Sequence, residues 1–398
     1  MRILEINKFN HIRGGADRHF VDLVKLLQSN GNEVAVFAME HPENKYSEWS
    51  GYFVSRVEYE KKTSLCNKIK AVARIFWSLE ARRKISKMLD EFQPDIVHIH
   101  NIYHQISPSI LGEIKKRNIP IVMTVHDWKL VCPNYLLTCN GKFCRRCLKG
   151  SYWHCLRNKC VKNSYAKSLV CALEMYLHRW LNVYDGNIDF YIAPSKFVKN
   201  ILARAGLSEK KIKVIHNFVC ENKTPEGFHK NRDAVGTGPR ALYIGKISKE
   251  KGVNELIGIF KGLPIDLILA GNKDEKFEIP NLPNIKYAGF RPSREINELI
   301  RESDFVVSAS RLPETFGLIA LEAISNGKPF VGYRTGAYSE VIKDGRNGFL
   351  VNTKDEMIEK IKRVLSGGGE KFDFNTEKFS AEKYYQRIER LFEDLTAR

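Results

Sequence analysis

Residues 241–260 read ALYIGKISKEKGVNELIGIF. A short apolar run stops at Gly245, two lysines follow at 246 and 251, and Gly252 opens an apolar helical pattern. This is a strand, a basic turn and a helix in sequence, the repeating unit of a wound α/β sheet. Backbone amides at the start of such a helix, with ammonium groups beside them, suit a diphosphate. A solvated basic turn explains the same residues when the segment is taken alone.

The same alternation extends in both directions. Downstream come IDLILAGN (265–272), IKYAGF (285–290), DFVVSAS (304–310), PFVGYR (329–334) and GFLV (348–351), with helical segments between most of them. Upstream lie RILEIN, DRHFVDLVKLLQSNG, EVAVFAM, DIVHIHN, PIVMTVHDW, FYIAPS and KIKVIHN. Between the two series, ENKTPEGFHKNRDAVGTGP (221–239) is polar and contains Gly and Pro, as a linker does. The pattern predicts two Rossmann-like, doubly wound α/β domains, 1–219 and 220–379, facing a central cleft where strand carboxyl ends would place ligands. The terminal FSAEKYYQRIERLFEDL has helical spacing, and a helix over 380–398 is expected to pack back on the first domain.

Size and composition agree. At 398 residues, 43% hydrophobic and 28% charged, the chain is long enough for two cores and has no low-complexity tract. Its N-terminal MRILEINKFN lacks the apolar core of a signal peptide, and no window approaches a membrane span, so the sequence predicts a cytoplasmic protein with reduced thiols. The net charge of +18 is lopsided: 35 basic against 19 acidic residues over 1–220, and 29 against 27 thereafter. Such a field attracts nucleic acid, anionic membrane or phosphorylated small molecules alike.

Two further stretches carry chemistry. In IRGGADRHF, Gly14 and Gly15 stand between the first strand and helix, where glycine lets a phosphate approach the backbone; structural turn glycines are the competing reading. In PETFGLIALEAISNGKPFVG, Gly317 marks a loop-to-helix junction, with Glu314 before it and Glu322 within the helix. Two carboxylates so spaced can each hold vicinal hydroxyls, although a surface salt bridge accounts for either one alone.

Taken in order, G-G-A-D, DIVHIHN, TVHDW, IGKISKEKG and the E-x7-E segment ending LEAISNGKPFVG resemble the retaining glycosyltransferase family four, of GT-B fold, over essentially the whole chain. The resemblance implies a nucleoside diphosphate sugar held mainly by the second domain and a glycan, lipid-linked or other hydroxyl acceptor held mainly by the first. It implies roles for Lys246 and Lys251 in neutralising the leaving diphosphate, with Lys246 standing where the family usually has arginine. Glu314 would contact sugar hydroxyls, the backbone around Phe316, Gly317 and Leu318 would contact sugar and phosphate, and Glu322 would bind ribose. Gly245 and Gly271 would border the nucleotide, and His126 matches the family's active-site histidine. Asp17 falls where the family often has glutamate; a first-turn acid stabilising the helix dipole is the simpler reading. No D-x-D occurs, so no catalytic metal is expected.

Residues 132–160 hold six of the nine cysteines. Cys132, Cys144, Cys147 and Cys160 approach the spacing of a four-thiolate structural zinc site, with Cys139, His154 and Cys155 as alternative ligands; buried free thiols compete. This segment and KKTSLCNKIKAVARIFWSLEARRKISKMLDEF (61–92) are basic, and the latter carries Ile75, Phe76, Trp77 and Leu79 in a helical pattern. Peripheral contact with an anionic membrane and an ordinary packed helix both account for it. Surface polysaccharide or glycoconjugate assembly is the implied process. A nucleotide-sugar epimerase of the same fold and a zinc-containing nucleic-acid-binding protein are the alternatives; the latter leaves the second half's motifs idle.

Overall fold

The computed structural model describes residues 1–57, 65–220, 238–366 and 372–397. Most of the linker stretch 221–239 therefore lies outside the described residues, as does the start of the basic stretch 61–92. The chain divides into two compact units: Met1–Asn140 with Cys144–His216 and Glu382–Arg398, and Gly141–Phe143 with Asn217–Ala381.

In the first unit the strands are β1 (Arg2–Ile6), β2 (Glu33–Phe37), β3 (Ile96–Ile99), β4 (Ile121–Thr124), the short β5 (Thr138–Cys139), β7 (Phe190–Ala193) and β8 (Ile212–Val214), while the two-residue β6 (Lys142–Phe143) falls in the Gly141–Phe143 stretch grouped with the second unit. The helices are α1 (Gly15–Ser29), α2 (Leu65–Phe76), α3 (Leu79–Phe92), α4 (Leu111–Lys115), α5 (Trp153–Arg157), α6 (Tyr165–Trp180) and α7 (Lys196–Arg204). Six strands form a parallel sheet in the order β2-β1-β3-β4-β7-β8. The central strands are apolar almost throughout because helices cover both faces of the sheet.

The second unit contains β9 (Arg240–Ile244), β10 (Asp266–Ala270), β11 (Ile285–Gly289), β12 (Phe305–Ser308), β13 (Phe330–Tyr333) and β14 (Gly348–Val351). Its helices are α8 (Val253–Phe260), α9 (Ser293–Glu302), α10 (Leu318–Ser325), α11 (Tyr338–Val341) and α12 (Lys354–Leu365). The sheet order is β11-β10-β9-β12-β13-β14, again parallel, with one apolar cluster on each face. The last helix, α13 (Ala381–Thr396), belongs to the first unit except for its initial residue. It buries Tyr384, Ile388 and Phe392, each contributing about 1.5–3 kcal/mol by leaving water.

Strand order locates the sites. Connections leave β1 in one direction toward β2 and return to β3 on its other side; β9 is likewise flanked by β10 and β12. The carboxyl ends of β1 and β3, and of β9 and β12, are therefore the switch points at which wound sheets open a crevice.

Candidate active site

In the second unit the loops after β9 and β12 meet at that switch point. Lys251 Nζ lies 2.6 Å from Glu314 Oε1, a contact spanning 63 positions of chain. Lys251 stands two residues before the start of α8 and Glu314 four before that of α10, so the contact brings two helix N-termini together. Both helices begin on a glycine in the left-handed region. Gly252 (φ 74°) has the Ala309 carbonyl oxygen 2.1 Å from where a Cβ would sit, and Gly317 (φ 98°) has the Tyr338 ring 2.6 Å away. Any other residue is strained at either position.

Side-chain capping differs among the helices. Ser78, Ser164, Ser195 and Thr353 cap α3, α6, α7 and α12 through their side chains. By contrast α1, α8 and α10 start on Gly14, Gly252 and Gly317 with no side-chain cap. Their first amides, unused within the helix, are positive ends suited to an anion. α4, α5, α9 and α11 also lack a side-chain cap, but none of them starts on a glycine.

Around Glu314 stand two phenols. Burial, reinforced by the Glu314 charge, pushes both Tyr243 and Tyr338 above the usual tyrosine range, so both remain protonated donors. Tyr243 donates to the Lys246 carbonyl at 2.8 Å. Lys246 itself is paired with Asp274 (3.1 Å) on the open side of the turn, apart from the Lys251–Glu314 pair. Gly245 N donates to Ala270 O (2.9 Å) and Gly271 N to Gly289 O (2.8 Å), which ties the ends of β9, β10 and β11 into one rim. Phe316 turns its ring into the core against Phe379, so only its backbone is available to a ligand. Leu318 packs on the same cluster, and Glu322 is buried in α10.

In the first unit, His126 follows β4 and ends a buried hydrogen-bonded chain. Thr124 Oγ1 lies 2.8 Å from His98 Nε2, and His98 Nδ1 lies 2.9 Å from Glu5 Oε1. Glu5 Oε2 is 2.9 Å from His100 Nε2, and His100 Nδ1 is 2.7 Å from His126 Nε2. A carboxylate between two imidazoles accepts from both. His100 therefore carries its proton on Nε2 and accepts at Nδ1 from His126 Nε2–H. That order leaves His126 Nδ1 as an acceptor, the tautomer suited to a substrate hydroxyl. Burial holds His19, His100 and His126 well below the usual histidine range, so the rings stay neutral. His19, on α1, contacts the His126 ring and pairs with Tyr384 Oη (3.2 Å) of α13.

Gly14 is extended, Gly15 begins α1, and nothing lies within 4 Å of a Cβ added at Gly14, so packing does not dictate glycine there. Asp17 is buried in the first turn of α1 and accepts from Asn7 Nδ2 (3.1 Å). Three residues beyond His126, Lys129 Nζ is buried 2.6 Å from Glu174 Oε2, which also meets His104 (3.1 Å). Burial alone would raise Glu174, but the Lys129 charge and His104 bring its carboxyl down to about 2. Beside them is a cavity of about 290 Å³ bordered by Lys129, Tyr152, Arg179, Tyr184 and Tyr191. The buried hydroxyls of Tyr184 and Tyr191 have no hydrogen-bond partner among the described residues.

The profile described as Glycosyltransferase Family 4 matches residues 13–223. The chain belongs to this family. A second profile, Glycosyl transferases group 1, matches residues 226–381. Over its whole length this family 4 glycosyltransferase is 24% identical to an uncharacterized glycosyltransferase of Methanocaldococcus jannaschii, covering 99% of that protein. An uncharacterized 41.2 kDa protein of the Klebsiella pneumoniae cps region is 30% identical over 42% of this chain and 49% of its own. Among solved structures, Anabaena HepE in complex with UDP-glucose superposes with TM-score 0.68 at 18% identity, over 99% of this chain and 100% of that one. Sucrose-phosphate synthase from Thermosynechococcus elongatus gives 0.69 at 15%, over 100% and 99%. The fold of this glycosyltransferase is GT-B, with one Rossmann-like sheet in each unit.

The structure joins Lys251 to Glu314 and separates Lys246 from both. The spacing of DIVHIHN held a signal for the rest: His98 and His100, two apart on a strand, share a face, and Glu5 sits on the neighbouring strand.

Proposed function

We propose that this glycosyltransferase moves a sugar with retention, and without a catalytic metal, from a nucleoside diphosphate sugar bound by the second unit to a hydroxyl of an acceptor bound by the first. The Lys251–Glu314 contact between two uncapped helix N-termini carries the reading. It sets an ammonium and two rows of amides where a diphosphate would lie, with a carboxylate beside them for sugar hydroxyls. Lys246 and the helix ends stabilise the leaving diphosphate, Glu322 takes the ribose, and the Gly245–Gly271 rim borders the base. As the bond from the anomeric carbon to the β-phosphate oxygen breaks, the acceptor oxygen attacks from the same face. Its proton passes to a phosphate oxygen, and configuration is kept. Within the first unit, His126 Nδ1 is suited to accept from a substrate hydroxyl, and the amides after Gly14 to bind an anionic group.

A role in surface polysaccharide or glycoconjugate assembly draws on relatives from a cps region and on a Salmonella typhimurium lipopolysaccharide 1,2-N-acetylglucosaminetransferase, 25% identical over 44% of this chain and 52% of its own. A lipid-linked acceptor fits α6. Its outward face carries Tyr165, Leu169, Leu173, Tyr176 and Trp180 at helical spacing, with Trp180 81% exposed. Residues 141–180 hold nine basic residues and one acid. An apolar stripe in a basic field matches an anionic bilayer at the cytoplasmic face. No described helix is long and apolar enough to cross a membrane.

The test is incubation with sugar nucleotides of uridine, guanosine and adenosine plus extracted lipid-linked acceptors, read by mass spectrometry. A product heavier by one sugar with matching nucleoside diphosphate release is expected. Conversion of the donor sugar with no acceptor would replace transfer by epimerisation.

A further inference from the structure

The segment after β4 carries six cysteines, and the fold gathers all six around one small cavity. Cys132, Cys139, Cys144, Cys147, Cys155 and Cys160 line it with His154 and Arg146. The segment's regular structure is two strands of two residues and one helix of five. Cys132, Leu137 and Leu148 join the main core of the first unit, and Cys147, Tyr152 and Cys155 form a small cluster against Ala172 and Met175 of α6. Tyr135, Leu137, Asn140, Lys159, Lys162 and Asn163 all have positive φ, a conformation costing about 1–3 kcal/mol for each such residue. A segment with so little regular structure and so much backbone strain is suited to a metal staple.

The thiols divide by role. By spacing, Cys132, Cys144, Cys147 and Cys160 form C-x11-C-x2-C-x12-C, with Cys139 and Cys155 beside them on the same cavity. Cys144 and Cys147 flank a two-residue turn, the usual first half of a thiolate metal site. We infer that Cys132, Cys144, Cys147 and Cys160 bind a structural zinc ion, with Cys139 and Cys155 lining the same cavity outside the coordination shell. Among the described residues, the triads with ligand atoms all within 4.8 Å of one another are Glu5–His98–His100, His11–His41–Glu43 and His104–Cys171–Glu174. The thiols thus stand wider than the edge of about 3.8 Å that zinc–sulfur bonds of about 2.3 Å impose. Zinc draws the loops inward, and its binding is linked to the folding of the segment.

The metal takes no part in sugar transfer. Its effect reaches the active site through the backbone: Cys132 N donates to Trp128 O (2.7 Å) and Trp128 N to Tyr135 O (3.2 Å), two residues after His126. Cys155 packs the other end of the segment on α6.

Elemental analysis of the full chain, purified without chelator, tests the assignment. It should contain about one zinc per chain, released on thiol modification by a mercurial. Growth with cobalt should give a thiolate-to-cobalt charge-transfer band and the visible bands of a tetrahedral site. Cys144→Ser and Cys147→Ser should lose most of the metal, and Cys220→Ser should keep it. Should the ligand variants fail to fold, limited proteolysis of the wild type decides: chelation should open cleavage within 139–160 and restored zinc should close it. Metal-free protein with freely alkylated thiols, a denatured mass two hydrogens lighter per cysteine pair, or iron with labile sulfide would each overturn the proposal.

Discussion

Replacing Glu314 and Lys251 separately should split binding from turnover. The two side chains share one contact of 2.6 Å, yet they face different parts of the donor. Lys251→Ala removes a charge-assisted hydrogen bond to the diphosphate, worth about 1.5–3 kcal/mol, so the nucleoside diphosphate Kd should rise about 10- to 150-fold. Glu314→Gln removes the negative charge that competes with the diphosphate for Lys251. Both groups are partly solvated, which limits that competition to about 1 kcal/mol; the same ligand should bind as well as before or up to about fivefold more tightly. Turnover with the sugar nucleotide should nevertheless fall about 100-fold or more, because the contact with the sugar hydroxyls is gone. Isothermal titration with the nucleoside diphosphate, set against initial rates with the complete donor, measures both. Equal loss of nucleotide affinity in the two variants would refute the shared-lysine geometry.

Three further outcomes follow from the first unit. His100→Phe should free the His126 tautomer and lower kcat about 100-fold at nearly unchanged KM, with a shifted pH profile that a purely structural defect would not produce. Glu174→Gln leaves Lys129 buried without its counter-charge and should destabilise by about 3–5 kcal/mol in urea unfolding, with Lys129→Met in the same chain restoring much of the loss. His19, His100 and His126 are held neutral in the folded state but take up protons near pH 6.5 when unfolded. Their contribution to stability is complete above that pH and is lost as pH falls below it, at up to about 4 kcal/mol per pH unit for the three together. The urea midpoint should accordingly drop between pH 7 and pH 5.

The sequence made the wound sheets legible because each strand is a short apolar run closed by a glycine or a polar turn, as at Ile244–Gly245 and Ala270–Gly271. Gly317 was equally readable, since a glycine before an apolar helix marks the junction. The pairing of Lys251 with Glu314 was not, because it depends on β12 lying beside β9 across more than sixty residues. Glu5 was concealed for a related reason. Within RILEIN a lone carboxylate reads as a break in an apolar run, and its partners lie more than ninety positions away on a strand brought alongside by the fold. The six cysteines announced a cluster in the sequence, and the fold gathers all six around one small cavity.

A thermal-shift titration with UDP, GDP and ADP tests the donor site most directly. A ligand present at about 100 times its Kd adds about 2.7 kcal/mol to the folded state. The account predicts that the diphosphate of one base, and sugar nucleotides of that base, raise the Tm by several degrees, and that Lys251→Ala reduces the response. A folded wild-type protein whose Tm moves with none of them, or moves equally in Lys251→Ala, would contradict it.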